Sequence, residues 1–273
     1  MPLPAANAVA RIAVRTLDRI APKLRGVALK NLSFAMPELD ADERGRIVDG
    51  VFESIARLLV ALARFPSIDR SNVSQWIAYE GLEHYESAKR EGRGVLIATA
   101  HLGNWELSAF AHALMTEPMH VMVRPLDNPL IDALVERRRT LSGNRLIDKR
   151  DAARAVIKAL RNNQAVGILI DQNTDDEGVF VDFFGKLACA NPGFVKLAHR
   201  SQPPVIPGFA LWDQRARRYV LRFYPRIEMT GHVQRDTQRL HATIEAIIRE
   251  YPDQWMWIHR RWKTRPPGEA PLY

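Results

Sequence analysis

Apolar and polar positions alternate along the chain in two periods, one typical of strands and the other of helices. Val95 to Ala100 is a short, mostly apolar run rich in β-branched residues, as expected of a strand that is buried on both faces. From Asn104 onward, apolar residues recur at intervals of three and four, which is the period of an amphipathic helix. Between them lies the short interruption His101 to Gly103. The pattern therefore predicts a strand, a tight turn and a helix in succession.

This alternation recurs and predicts an α/β fold, with a mostly parallel central sheet flanked by helices. The other predicted strands are His120 to Val123, Ala165 to Ile170, Pro204 to Leu211 and Tyr219 to Tyr224. The other predicted helices are Asp40 to Arg64, Asn128 to Leu141, Asp151 to Asn162, Gly193 to His199 and Val233 to Tyr251. The segment from Asn173 to Gly193 is predicted as a loop.

The N-terminal stretch is basic and amphipathic. Its apolar face is formed by Val9, Ile12, Leu17, Ile20, Leu24 and Val27, and its basic residues Arg11, Arg15, Arg19 and Lys23 repeat every fourth position. A basic face beside an apolar one is typical of a helix that lies among the headgroups of an anionic membrane. The alternative is an ordinary surface helix that covers the core. We expect an N-terminal helical, membrane-proximal segment over residues 1–65, followed by an α/β domain over residues 66–273.

Composition narrows the possible classes of protein. The 273 residues, 47% of them hydrophobic, suffice for a substantial core, and a single cysteine excludes a disulfide framework and suits a reducing compartment. We find no apolar run of the length that a membrane-spanning helix needs and no evident signal peptide. The net charge of +8 indicates acidic partners, which are nucleic acid, anionic lipid headgroups or an acidic carrier protein. Charge alone does not choose among them.

The strand–turn–helix unit also carries the candidate chemistry. His101 follows the strand, at the edge where open α/β sheets bind their ligands, and Glu106 lies in the first turn of the helix. A nearby carboxylate can hold a histidine in one tautomer and stabilise the imidazolium. Because the chain has no G-x-S-x-G nucleophile motif, we expect His101 to act as general base on a substrate hydroxyl. The alternative is that His101 is a structural turn histidine and that Glu106 is a surface carboxylate, which the helix dipole favours at this position.

Two further regions carry charged or aromatic side chains. Asp171 and Gln172 follow a predicted strand and lie level with His101 if the two strands are parallel. In the C-terminal tail, three tryptophans alternate with arginines, a mixture suited to a membrane interface or a nucleic-acid surface. The alternative is that Trp255 and Trp257 anchor the tail to the core.

Several segments together resemble one family. His101 to Glu106, HLGNWE, resembles the His-(four residues)-Asp/Glu signature of the glycerolipid acyltransferase superfamily, in the branch that adds secondary acyl chains to lipid A, the lauroyl/myristoyl type. The matching segments that follow are VMVRPLDNPLID, the arginine-rich helix ending in Arg139, DQN at Asp171, VFVDFFG ending in Gly185 and the tail from Pro252. Asp182 departs from the family, since proline is usual there, which leaves acceptor and chain-length preference open.

The resemblance implies a membrane-surface acyltransferase that needs no cofactor and no metal. The donor would be acyl carrier protein, or acyl-CoA, and the acceptor an anionic glycolipid, a lipid A precursor. His101 would be the base and Glu106 would orient it. The residues that the resemblance places in substrate binding are Asn104, Arg124, Arg139, Asp171, Gln172 and Gly185.

The resemblance also implies a place in the cell and leaves two alternatives. We expect peripheral attachment to the cytoplasmic face of the bacterial inner membrane. The first alternative is another acyltransferase of the superfamily that acts on a lysophospholipid or glycolipid. The second is a nucleic-acid-binding protein, which no recognised motif supports, so we expect no nucleic acid among the partners.

Overall fold

A seven-stranded sheet organises the computed structural model, which describes residues 1–148, 152–175 and 177–273. The order of strands across the sheet is β1-β9-β8-β2-β5-β3-β4. All neighbouring strands are parallel except β8 and β9, which are antiparallel. The strands are β1 (Ile77–Glu80), β2 (Val95–Thr99), β3 (His120–Val123), β4 (Arg145–Asp148), β5 (Ala165–Leu169), β8 (Val205–Asp213) and β9 (Arg218–Phe223).

Helices cover both faces of this sheet. They are α1 (Leu3–Ile20), α2 (Pro22–Ala35), α3 (Ala41–Arg64), α4 (Leu82–Arg90), α5 (Trp105–Met115), α6 (Pro129–Thr140), α7 (Ala152–Arg161), α8 (Gly193–Ser201) and α9 (Val233–Glu250). The mostly parallel α/β fold is therefore confirmed. None of the helices in the described part of the chain is long and apolar enough to cross a membrane.

The central strand β2 separates two apolar cores because its side chains alternate between the faces of the sheet. Leu96 and Ala98 join the larger core, which also contains the tryptophans of the tail. Val95 and Ile97 join the core beneath α4 and α5. Both faces of β2 are buried, which explains why its sequence is a continuous apolar run.

Some local features differ from the predictions, and one predicted boundary lies outside the described residues. The N-terminal amphipathic stretch is two helices, because Pro22 cannot continue α1 and instead begins α2. The predicted loop between Asn173 and Gly193 contains an antiparallel hairpin, β6 (Val179–Phe183) and β7 (Lys186–Ala190). The predicted start of a helix at Asp151 lies outside the described residues.

The helix α3 shows how local sequence sets an element boundary. Asp40 accepts a hydrogen bond from the backbone N–H of Glu43, and the Glu43 side chain accepts one from the backbone N–H of Asp40. This capping box satisfies two backbone donors at the start of the helix. From there α3 packs against α1, α2 and α5 and so connects the N-terminal segment to the site.

Candidate active site

The turn after β2 is fixed from two directions. Gly103 adopts φ +64°, and a Cβ there would lie 2.0 Å from the backbone oxygen of Ala210, so the close approach requires glycine. The N–H of Gly103 donates to the backbone oxygen of Gln254, and the backbone oxygen of His101 accepts from the N–H of Met256. His101 is therefore held between β8 and the C-terminal tail.

The ring of His101 is held by Asp171, which follows β5. Nδ1 of His101 lies 2.9 Å from Oδ1 of Asp171, and the backbone N–H of His101 donates to Oδ2. β2 and β5 are parallel neighbours in which Thr99 pairs with Leu169, so the residues two positions later lie level with each other. This confirms the predicted juxtaposition of Asp171 with His101.

The carboxylate of Asp171 is buried and charged. Oδ2 also accepts a hydrogen bond from Nε1 of Trp255 at 2.8 Å, and Asp171 is 2% exposed. Burial alone raises the pKa of this carboxyl, but the charge and hydrogen bonds of His101 and the bond from Trp255 outweigh it and hold the pKa well below its usual range. An ionised Asp171 accepts Nδ1–H and leaves the lone pair of the neutral ring on Nε2.

Glu106 does not orient His101 as expected, because its carboxylate is engaged elsewhere. Nε and Nη2 of Arg139 donate to its two oxygens at 2.8 Å and 2.5 Å, which makes a bidentate pair. Burial by itself lowers the pKa of Arg139, but the bond to Glu106 raises it, with a net upward shift. Glu106 therefore joins α5 to α6, and the residue that orients His101 is Asp171.

Of the other predicted site residues, the structure brings Gln172 and Asn104 close to His101 and gives, within the described residues, no contact between His101 and Arg124 or Gly185. Gln172 lies beside His101, with its Nε2 3.4 Å from Nε2 of the His101 ring. Asn104 is fully buried and caps α5 by accepting from the N–H of Leu107. Arg124 is exposed and pairs with Asp127, and Gly185 lies in the β6–β7 turn, where its N–H donates to Asp182. The roles of these residues in substrate binding remain predictions.

Two tryptophans at the site were not among the predicted site residues. Trp255 binds Asp171 across 84 positions of sequence, and Trp105 packs edge-on against the His101 ring with the ring centres 4.9 Å apart. Its place within the HLGNWE motif could have indicated Trp105. No local signal indicates Trp255, since its partner is remote in sequence.

An apolar cavity of about 30 Å³ lies between α5 and the sheet, beside the turn that carries His101. Near the turn it is lined by Thr99 and Trp105, and farther along α5 by Ala109 and His112. His112 is 1% exposed, its Nδ1 lies 2.7 Å from the hydroxyl of Tyr79, and burial lowers its pKa to about 4. The cavity wall near His112 is therefore uncharged at neutral pH.

The site combines a histidine held by a carboxylate, at the carboxyl edge of a mostly parallel sheet, with a nearby apolar cavity. Such a site is suited to general-base chemistry on a substrate with an apolar part. The particular family is given by sequence: the chain belongs to the family described as bacterial lipid A biosynthesis acyltransferase, which it matches over residues 1–264. It is therefore an acyltransferase, and the resemblance found in its motifs is confirmed.

Individual relatives agree with this assignment. The chain is 27% identical over 252 residues to a lipid A biosynthesis acyltransferase of Haemophilus influenzae, covering 91% of this chain and 79% of the relative. It is 30% identical over 253 residues to the lipid A biosynthesis palmitoleoyltransferase of Escherichia coli K12, covering 90% and 81%. It is 28% identical over 267 residues to the lipid A biosynthesis lauroyltransferase of the same organism, covering 96% and 85%.

Proposed function

We propose that this enzyme transfers a fatty acyl chain from acyl carrier protein to a hydroxyl of a lipid A precursor, with His101 as general base. The observation that carries the proposal is the bond between Nδ1 of His101 and Asp171, which leaves Nε2 as the proton acceptor. A positioned base of this kind typically contributes ~10²–10⁴ in rate. Family membership supplies the acyl transfer.

The proposed reaction needs no covalent enzyme intermediate. Nε2 of His101 takes the proton of the acceptor hydroxyl, and the resulting oxygen nucleophile attacks the thioester carbonyl. The new C–O bond forms, the C–S bond breaks, and the departing thiolate takes the proton back from the imidazolium. Asp171 stabilises the imidazolium in between, as the carboxylate of a serine-protease triad does.

Glu106 and Arg139 have a supporting part in this proposal. Two of the three guanidinium nitrogens of Arg139 are used on Glu106, and Nη1 is not one of them. We assign Nη1 to a phosphate or sugar oxygen of the acceptor, for which a planar, oriented guanidinium is suited. Glu106 is then a positioning residue that acts through Arg139.

The enzyme is proposed to lie on the cytoplasmic face of the inner membrane as a peripheral protein. On α1, the small residues Ala6 and Val14 are buried, whereas Ile12 and Ile20 are 66% and 75% exposed. Large apolar side chains beside arginines are the composition of a helix that binds an anionic bilayer. The net charge of +8 suits both this surface and an acidic carrier protein.

The test is acyl transfer by purified enzyme from defined acyl carrier protein thioesters to a lipid A precursor, with the product read by mass spectrometry. We expect His101→Ala and Asp171→Asn each to lower kcat by ~10²–10⁴. Normal turnover by folded His101→Ala protein would contradict the mechanism. Parallel reactions with the matching acyl-CoA thioesters identify the donor, since faster transfer from coenzyme A would overturn the carrier-protein assignment.

Arg139 has a matched control on the same helix. Arg139→Lys keeps the charge but loses the bidentate geometry, so we expect a loss of about tenfold or more in kcat/KM. Arg137 is exposed, and Arg137→Lys should leave the rate unchanged. Equal rates in the two variants would remove Arg139 from the site.

A further inference from the structure

The helix α6 exposes an unusual set of side chains. Leu130, Ile131 and Leu134 are 82%, 52% and 53% exposed, and the flanking Leu126 and Leu141 are 40% and 49% exposed. Single exposed leucines are normal on soluble proteins, but several on one helix indicate a surface that binds something. On the opposite side of α6, Val135 is buried and Arg139 binds Glu106.

Helix geometry places Arg137 and Arg138 of α6 on a different side from its acidic residues. At about 100° per residue, Leu130, Leu134 and Arg137 fall within an arc of about 60°, which faces outward. Arg138 and Ile131 border the same arc. Asp132 and Glu136 point to the other side, where both act electrostatically on Arg139 and raise its pKa. The outward face therefore combines leucine and isoleucine with arginine.

This combination fits an anionic bilayer. An interfacial helix places leucine against the acyl chains and arginine against the headgroup phosphates. The helix α1 has the same arrangement, with exposed Ile12 and Ile20 beside Arg15 and Arg19. An anionic bilayer accounts for the exposed apolar and basic residues of both helices.

We propose that α6 is a second membrane-contacting helix, which lies in the headgroup region of an anionic bilayer with Leu130 and Leu134 directed toward the acyl chains. The proposal extends the membrane association proposed for α1. Because Arg139 lies on the opposite face of the same helix, its bond to Glu106 is separated from the bilayer by about one helix diameter, ~10 Å. The acceptor headgroup can then reach the site while its acyl chains stay in the membrane.

The test measures insertion, not activity. Single cysteines are introduced as Leu130→Cys, Leu134→Cys and Glu136→Cys in a Cys189→Ala background and labelled with the polarity-sensitive fluorophore NBD. Full-length protein is mixed with vesicles of phosphatidylethanolamine and phosphatidylglycerol in equal parts. We expect a blue shift at positions 130 and 134, with quenching by brominated acyl chains several times stronger than at position 136. Leu187→Cys, on an exposed leucine of the β6–β7 hairpin, is the second control.

A second measurement does not depend on labels. The double variant Leu130→Ser, Leu134→Ser should bind these vesicles at least tenfold more weakly than wild type, because both apolar contacts are lost. Leu187→Ser should bind as wild type does. Circular dichroism confirms that the variants are folded, which is expected since the changed residues are exposed.

The outcomes distinguish the role proposed for α6 from the role proposed for α1 and from the proposed acyl transfer. Vesicle-bound protein in which positions 130 and 134 respond like position 136 would overturn the role of α6 while leaving α1 as the anchor. Wild-type protein that fails to bind the vesicles would overturn membrane association by either helix. Neither result bears on acyl transfer, which is measured separately with soluble thioesters.

Discussion

The helix α1 and the C-terminal tail from Pro252 to Tyr273 have similar compositions, since both combine large apolar side chains with arginines. Their environments are opposite. Ile12 and Ile20 of α1 are mostly exposed, whereas Trp257 and Trp262 of the tail have no exposed surface. Apolar and basic residues in alternation therefore do not by themselves indicate where a segment lies.

The two segments differ in burial because the polar groups of the tail have hydrogen-bond acceptors inside the protein, whereas α1 packs through small side chains only. The indole N–H groups of the tail have acceptors inside the protein: Trp257 donates to the backbone oxygen of Pro252, and Trp262 to that of Phe183. Arg261 is buried too and donates to the backbone oxygen of Cys189, and burial lowers its pKa to about 10. By contrast, α1 packs on α3 through Ala6 and Val14, which leaves its larger residues outside.

The largest effect that should distinguish the two segments is on stability. Trp257→Ala removes a fully buried aromatic side chain, and we expect the free energy of unfolding to fall by about 3–5 kcal/mol. Ile12→Ala removes an exposed side chain from a helix, and its effect should stay within about 0.5 kcal/mol. Urea denaturation of both variants measures this. Similar midpoints would show that the tail is not part of the core.

This contrast shows what sequence could and could not predict. The strand β2, its turn and α5 were predictable because their periodicity is local, and Asp171 could be placed level with His101 from strand ends alone. The partner of the His101 ring could not be chosen, because Glu106 is closer in sequence and only the bond of Glu106 to Arg139 shows that it is engaged elsewhere.

The tail shows a second limit of sequence. A membrane interface and burial in the core both satisfy an amphipathic indole, and only the positions of distant acceptors decide between them. The three tail tryptophans are buried, so the membrane-interface interpretation is wrong, and the alternative, that Trp255 and Trp257 anchor the tail to the core, is confirmed. The hairpin β6–β7 was missed although its pairing is local, since Phe183 pairs with Lys186 across a two-residue turn in which Phe184 and Gly185 both have positive φ.

The next effect concerns membrane binding. Arg15→Gln with Arg19→Gln should weaken binding to anionic vesicles by about thirtyfold, at ~1 kcal/mol for each basic residue near the surface. The matched pair in the tail is Arg260→Gln with Lys263→Gln, which should change binding little. Sedimentation with vesicles at low and high salt measures both. A larger effect from the tail pair would reverse the assignment of the membrane-facing segment.

A smaller effect is expected where the tail meets the carboxylate of Asp171. Trp255→Phe removes the hydrogen bond to Asp171, and the lost bond should lower the free energy of unfolding at pH 7 by about 1.5 kcal/mol. The space left by the smaller ring adds to this loss. Since the pKa of Asp171 is lowered in the folded protein, this stabilisation is present above the ordinary aspartate range and is lost as acid protonates the carboxyl. Urea denaturation at pH 7 and at acidic pH should show the difference shrinking. An unchanged stability at pH 7 would remove Trp255 from the support of Asp171.

The smallest effect is a pH dependence that the tail produces and α1 does not, since α1 contains no histidine. Burial lowers the pKa of His259 to about 4 in the folded protein. The unfolded chain therefore binds the proton first as pH falls through about 6.5, and stability is lost from there down to about pH 4. Between pH 7 and pH 6 this group should cost about 0.7 kcal/mol of unfolding free energy.

Replacement of His259 tests this origin directly. His259→Gln should flatten the dependence of unfolding free energy on pH by that amount, whereas His232→Gln, at an exposed position before α9, should leave it as in wild type. Urea denaturation at closely spaced pH values between 7 and 6 resolves the two curves. If His259→Gln and His232→Gln give the same slope as wild type, then the tail around His259 is open to water, and its contrast with α1 is limited to the tryptophans.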